Sequence, residues 1–267
     1  MKTSWGNVAD WYDKVVHDPD SYQSQVISPN LLRIVAAKRG DRVLDLACGQ
    51  GFFSHALAAE GAHVTGIDIA PELVDIAREH ASHNQEFYVG PADDLHMFKD
   101  KSFDSAVSVL AIQNIERMVS VFKEVSRVLR PKGRFVIVLN HPAFRIPGKS
   151  SWGWDEKGAS GAGVQYRRVD EYMSESRAVI DMHPGIQSMH GAASADAARP
   201  KAPREVTYSF HRPLQVYAKT LANASFAIAR IEEWQSHKES EKGPRKHAED
   251  KARREIPLFM CLECVKL

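Results

Sequence analysis

The chain has 267 residues, enough for one large domain or one domain carrying an insert. Its 43% hydrophobic and 26% charged residues exclude collagen-like, mucin-like and wholly disordered chains. Lys plus Arg at 35 against Asp plus Glu at 34 leaves a formal charge of +1, so little positive charge is available to neutralise a long phosphate backbone and extended nucleic acid is disfavoured as a partner.

No apolar run approaches the ~18 to 20 residues that span a bilayer, and the start MKTSWGNVADWYDK lacks the apolar stretch of a secretion signal. The expectation is a cytoplasmic protein with no membrane partner and reduced thiols. Cys261 and Cys264 lie on the apparent strand IPLFMCLECVKL, where residues three apart point to opposite faces, so no metal site is expected from them.

From Asp41 to Asn140 short apolar runs alternate with amphipathic stretches, the pattern of a parallel sheet covered by helices. RVLDLA reads as a buried strand, CGQG as a Gly turn and FFSHALAAE as a helix stopped by Gly61. HVTGIDI repeats the strand, and Pro71 opens the helix PELVDIAREHA, where a missing N–H is tolerated. EFYVG, SFDSAVSVL and RFVIVLN give three more strands, the last introduced by the turn Pro131, Lys132, Gly133. Before that turn, Met118, Val121, Phe122, Val125, Val128 and Leu129 form one apolar helical stripe, which is core.

After Asn140, Gly, Pro and Ser break the alternation. VQYRRVDEYMSESRAVID offers two short strands, and IQSMHGAASADAARPKAPRE is too small and polar to bury much. The chain therefore divides into a core, 1–140 with 205–267, and an insert, 141–204, with a flexible segment at about 185–204. Regular structure returns with VTYSFHRP, a helix from about Pro213 to Ala224, a strand AIARIEEW, a charged stretch read as a solvated face, and the closing strand.

Ligands of open parallel sheets sit beyond the carboxyl ends of the strands. There Gly49 and Gly51 permit close approach of a ligand to a helix start, Asp45 flanks the same turn, and Asp68 ends the second strand, 17 positions past Gly51, where an acid suits two ribose hydroxyls. The competing structural reading makes the glycines a tight turn and Asp45 a helix cap. Nicotinamide dinucleotides use a similar turn, but Ser54 stands where their fingerprint wants a third Gly or Ala, and Asp45 would repel a pyrophosphate. A cationic ligand fits Asp45 better, which points to S-adenosylmethionine.

VLDLACGQGFF, TGIDIAPELVDIAREH, FDSAVSVLAIQNI and EVSRVLRPKGRFVIV, in that order over residues 30–140, resemble the consecutive motifs of class I S-adenosylmethionine-dependent methyltransferases, in a branch similar to the ubiquinone and menaquinone biosynthesis enzymes. The resemblance implies an α/β, Rossmann-like, doubly wound, mostly parallel seven-stranded sheet with an antiparallel last strand and a cap inserted after the fifth strand. It further implies Asp45, Ala47 and Gly49 near the methionine part, Asp68 on the ribose and Ile69 against the adenine. Pro91 departs from the family pattern, where an acid is usual, leaving Ala92 and Asp93 for the adenine amine. Val109 and Leu110 would lie along the cofactor, and Tyr12 or Tyr22 near its carboxylate.

The activity expected is methyl transfer to a small-molecule acceptor, anionic or aromatic, by a monomer or homodimer. The alternatives are an RNA base methyltransferase, disfavoured by VLAIQN and the low charge, and a non-catalytic cofactor-binding module. His141, directly after the fifth strand, is the candidate general base, with His183 and His211 behind it. Trp152, Trp154 and Tyr166 read as packing for the insert, and Arg145, Arg167, Arg168 and Arg212 as cations with which a cap could grip an anion.

Overall fold

A computed structural model describes residues 5, 16, 18–157, 163–181 and 206–267. Near-continuous buried runs build β1 (Arg42–Leu46), β2 (His63–Asp68), β4 (Phe103–Val109) and the second half of β5 (Leu129–Asn140), while β3 (Gln85–Val89) at the sheet edge is buried at alternate positions; the five pair in parallel. With β10 (Phe226–Trp234) and β11 (Phe259–Lys266) they form a seven-stranded sheet in the order β10-β11-β5-β4-β1-β2-β3. The last strand, β11, runs antiparallel to both of its neighbours. The strand order reverses between β1 and β4, which opens a crevice at their carboxyl ends.

Period-two alternation divides the core into two layers. Leu44, Leu46, Phe135, Ile137, Leu139, Leu262 and Cys264 face α4 (Met118–Val128) and α5 (Leu214–Asn223). Val43, Val107, Val136, Val138 and Cys261 face α1 (Ser28–Val35) and α2 (Phe52–Ala59). Cys261 and Cys264 thus lie in opposite layers. The helix α3 (Pro71–Glu79) covers the β2–β3 end with Leu73, Val74 and Ala77.

One boundary differs from the sequence reading. β5 starts at Leu129, five residues before Arg134, because Pro131, Lys132 and Gly133 form an irregularity inside the strand. Its register against β4 passes from Phe103↔Leu129 to Ser105↔Arg134, and Lys132 takes φ 64°.

Beyond β5, β6 (Ser150–Asp155) and β7 (Val164–Val169) form one hairpin, and β8 (Ser176–Asp181) pairs with β9 (Val206–His211). The segment 185–204 lies outside the described residues. The charged stretch contains α6 (Lys246–Glu255), which packs on β7 with Ala252 buried and half of its residues partly covered; nearby, the Arg245 guanidinium lies 4.6 Å from the Trp154 ring. No described helix is long and apolar enough to cross a membrane.

Candidate active site

The loops after β1, β2, β3 and β4 converge on a cavity of about 540 Å³, within the usual size of a small-molecule site. Asp45, Ala47, Gly49, Asp68, Ile69, Ala92, Asp93, Val109 and Leu110, all singled out in the sequence, line it. Ala47 and Leu110 hold φ at 55° and 54°, in the left-handed region that residues with a Cβ seldom adopt. Both stand at strand ends on the cavity wall, where such strain tends to collect.

Two buried carboxylates dominate the electrostatics. Asp45 accepts a 2.6 Å hydrogen bond from Ser54 Oγ, and Asp68 accepts 2.9 Å bonds from the backbone N–H groups of Gly49 and Ala70. Burial raises the Asp45 pKa to about 7, against the Ser54 bond and with help from the nearby Asp68 charge. Burial also raises Asp68, opposed by its backbone donors. The amide nitrogen of Gln50, another lining residue, is buried without a hydrogen-bond partner, and Ile69 is 51% exposed at the cavity edge.

The other named residues lie elsewhere. Gly51 is the N-cap of α2 at φ 84°, behind the wall, where a Cβ would come within 3.0 Å of His55 and 3.1 Å of Phe87. Its role in the fold is the turn itself. Tyr22 bonds Ser236 Oγ at 3.0 Å and packs edge-on against Phe259, so it does not line the cavity; Tyr12 lies outside the described residues. Asp93 does line it, but pairs with Arg117 at 3.2 Å.

His141 also stands apart from the lining residues. Its Nε2 lies 2.7 Å from Glu233 Oε1, and its Nδ1 accepts the Ala143 N–H at 3.2 Å. Nε2 is therefore the protonated nitrogen of a neutral ring, consistent with burial lowering the pKa against the opposing pull of Glu233. His211 is buried and bonds the Tyr172 carbonyl, while His183 is outside the described residues. Among the described residues no group of acids, histidines and cysteines is suited to a metal.

Sequence reasoning missed Trp5, Val16, Phe52, Phe53, Asn114, Glu116, Arg117 and Thr207 in the lining. Phe52 and Phe53 were legible as cavity residues, since they follow the Gly turn directly. Thr207 was not, because β9 reaches the cavity only by packing against the turn Ile112–Asn114 after β4.

Residues 37–145 match a family model described as a methyltransferase domain. Over 137 residues the chain is 33% identical to a ubiquinone biosynthesis O-methyltransferase of Xanthomonas oryzae pv. oryzae, covering 49% of this chain and 56% of that protein. Over 111 residues it is 33% identical to a demethylmenaquinone methyltransferase of Tropheryma whipplei, covering 41% and 46%. The chain thus spans about half the length of the curated relatives it matches. An S-adenosylmethionine-dependent methyltransferase structure from Mesorhizobium loti superposes with a TM-score of 0.65 at 24% identity, over 89% of this chain and 96% of that one. The sheet order and the crevice at its switch point are those of a Rossmann-like fold, and residues 37–145 within it are similar to a methyltransferase domain.

Proposed function

We propose that this chain binds S-adenosylmethionine in the crevice and transfers its methyl group to a small-molecule acceptor by in-line displacement. The observation that carries the reading is the pair of buried acids, Asp45 and Asp68, on the wall of one cavity. Burial raises the proton affinity of both carboxylates, with the Asp68 charge adding to it at Asp45, and a ligand bearing positive charge relieves that cost where a pyrophosphate would add to it. The unpartnered Gln50 amide and the exposed face of Ile69 fit the same ligand, one as a donor awaiting an acceptor and the other as an apolar surface for a base.

In this reading Asp45 supplies the negative charge beside the cofactor's cationic end. Asp68, fixed by two backbone N–H groups, keeps lone pairs free for the ribose hydroxyls. Ile69, Val109 and Leu110 exclude water from the remaining walls, and Ala92 borders the base. The Asp93–Arg117 pair joins the third-strand loop to the segment before α4. Bound, the sulfonium provides the electrophile, so the protein chiefly has to position an acceptor and keep the site dry. His141 serves this arrangement as a strut between β5 and β10, with no proton-transfer role, since both ring nitrogens are engaged.

Residues 1–140 with 205–267 form the catalytic core in this proposal, and 141–204 a cap that selects the acceptor. Support for the cap comes from Thr207, which brings the strand leaving this segment to the cavity wall. The curated relatives act in ubiquinone and menaquinone synthesis, which favours a metabolite over RNA as the acceptor here.

Calorimetry with S-adenosylmethionine, its demethylated product and NAD tests the cofactor. The first two are expected to bind, and Asp68→Ala to weaken them by ~1 to 3 kcal/mol. Binding of NAD in their place would overturn the reading. Labelled cofactor incubated with a metabolite extract is expected to pass its label to an acceptor; binding without transfer would mark a cofactor-holding module.

A further inference from the structure

The crevice wall is acidic. Asp45, Asp68, Asp93 and Glu116 line it, and Arg117 is the only lysine, arginine or histidine among its described residues, already paired with Asp93 at 3.2 Å. The amino-acid end of S-adenosylmethionine carries an ammonium and a carboxylate on one carbon. The ammonium suits Asp45. The carboxylate meets no unengaged cation on this wall, so it needs a neutral hydrogen-bond donor to replace the water it gives up.

Gln50 is such a donor. It lines the crevice, is only 3% exposed, and its Nε2 is closed off from solvent with no hydrogen-bond partner among the described residues. An amide buried in that state is costly, because the water lost on folding has not been replaced. Its polar neighbours on the wall are engaged: Asp45 by Ser54 Oγ at 2.6 Å, Asp68 by the N–H groups of Gly49 and Ala70 at 2.9 Å, while the Asn114 amide nitrogen lies 3.5 Å from the Leu110 carbonyl. The backbone around Gln50 is pinned. The residue sits between Gly49 at φ 56° and Gly51 at φ 84°; the Gly51 N–H donates to the Cys48 carbonyl at 3.0 Å, and the Cys48 N–H to the Ile67 carbonyl at 3.1 Å. The turn is thereby tied to the end of β2, and only the flexible side chain has to swing for its amide to face a ligand.

Asp45 stands on β1 and Gln50 in the turn that follows it, both on the wall of the same cavity. We propose that the Gln50 side-chain amide donates to the carboxylate of the cofactor's methionine end while Asp45 takes its ammonium, so that one strand and its turn read both charges of the zwitterion. The inference rests on the cofactor reading above and adds to it the residue that selects a ligand with a carboxylate over one without.

The test is calorimetry on the full chain with S-adenosylmethionine and with its decarboxylated analogue, which keeps the sulfonium and the ammonium. The wild type is expected to bind S-adenosylmethionine about tenfold more tightly or better, as a hydrogen bond to a charged group provides. Gln50→Met keeps the length and removes the donor. It is expected to lose that preference while binding the decarboxylated analogue as the wild type does. Gln50→Glu is expected to invert the preference, since its carboxylate repels the one ligand's acid and attracts the other's ammonium. Thermal unfolding without ligand separates binding from packing: Gln50→Met is expected to be at least as stable as the wild type, because an unpaired buried donor is gone. A drop in stability would give the amide a packing role and overturn the proposal. So would a wild type that binds both ligands alike, or a folded Gln50→Met that keeps the tenfold preference; either result leaves the cofactor reading standing. Binding of neither ligand by the wild type would reject the cofactor reading, and the assignment with it.

Discussion

At the residue scale the chemistry centres on Asp45. Its folded-state pKa of about 7 stands above the ordinary value of 3.8, so between those limits the native protein holds a proton that the unfolded chain has shed. Stability from this group is therefore greatest at low pH, declines as pH rises through that window and is level above about 7. Asp45→Asn is expected to abolish this decline, leaving the variant more stable than the wild type above pH 7 in thermal unfolding without ligand. A cationic ligand reverses the preference and favours the carboxylate. Cofactor affinity is thus expected to rise with pH up to about 7, being about tenfold weaker at pH 6 than on the plateau, and to lose this dependence in Asp45→Asn. A flat pH profile of calorimetric affinity in the wild type would contradict the electrostatic account. Asp45, Gly49 and Asp68, which the sequence singles out and which line the cavity, take their contacts from their own strand end or its neighbour. Tyr22 and His141 stand apart from the lining residues, and their polar atoms bond Ser236 and Glu233, more than 90 positions away.

At the scale of elements the decisive joint is Arg212. It is buried, donates from Nη2 to the carbonyls of Ile115 and Glu116 at 2.9 Å each, and so ties the end of β9 to the segment that walls the crevice. Arg212→Ala is expected to destabilise the protein by about 2 kcal/mol in denaturant unfolding, because two carbonyls lose a charged donor. It should also weaken the cofactor severalfold, since Ile115, Glu116 and Arg117 would lose their anchor. Full affinity in a folded variant would show the tie to be irrelevant to the site. Most strands and helices of the core were legible within a few residues, because each carries its own periodicity and turn signal. The start of β5 was not, since a strand irregularity at Pro131–Gly133 and a turn share the same residues and only pairing with β4 separates them.

At the scale of the molecule, stability and ligand binding are separable. Leu262 is fully buried in the layer beneath α4 and α5, on a strand that lies beyond β5 from the crevice. Leu262→Ala is expected to cost about 2 to 5 kcal/mol in unfolding free energy while leaving cofactor affinity unchanged at temperatures where the variant is folded. An affinity loss as large as the stability loss would mean that the far edge of the sheet shapes the crevice.

Hydrophobic periodicity and turn chemistry within a few residues were enough to read the strands of the sheet, most of the helices that cover it and the acids at the strand ends, though not α1. Packing alone brings Thr207 to the cavity, Arg117 to Asp93 and His141 to Glu233. Those relations join segments remote in the chain, and which charges meet is set by how elements pack, a quantity that no local pattern encodes.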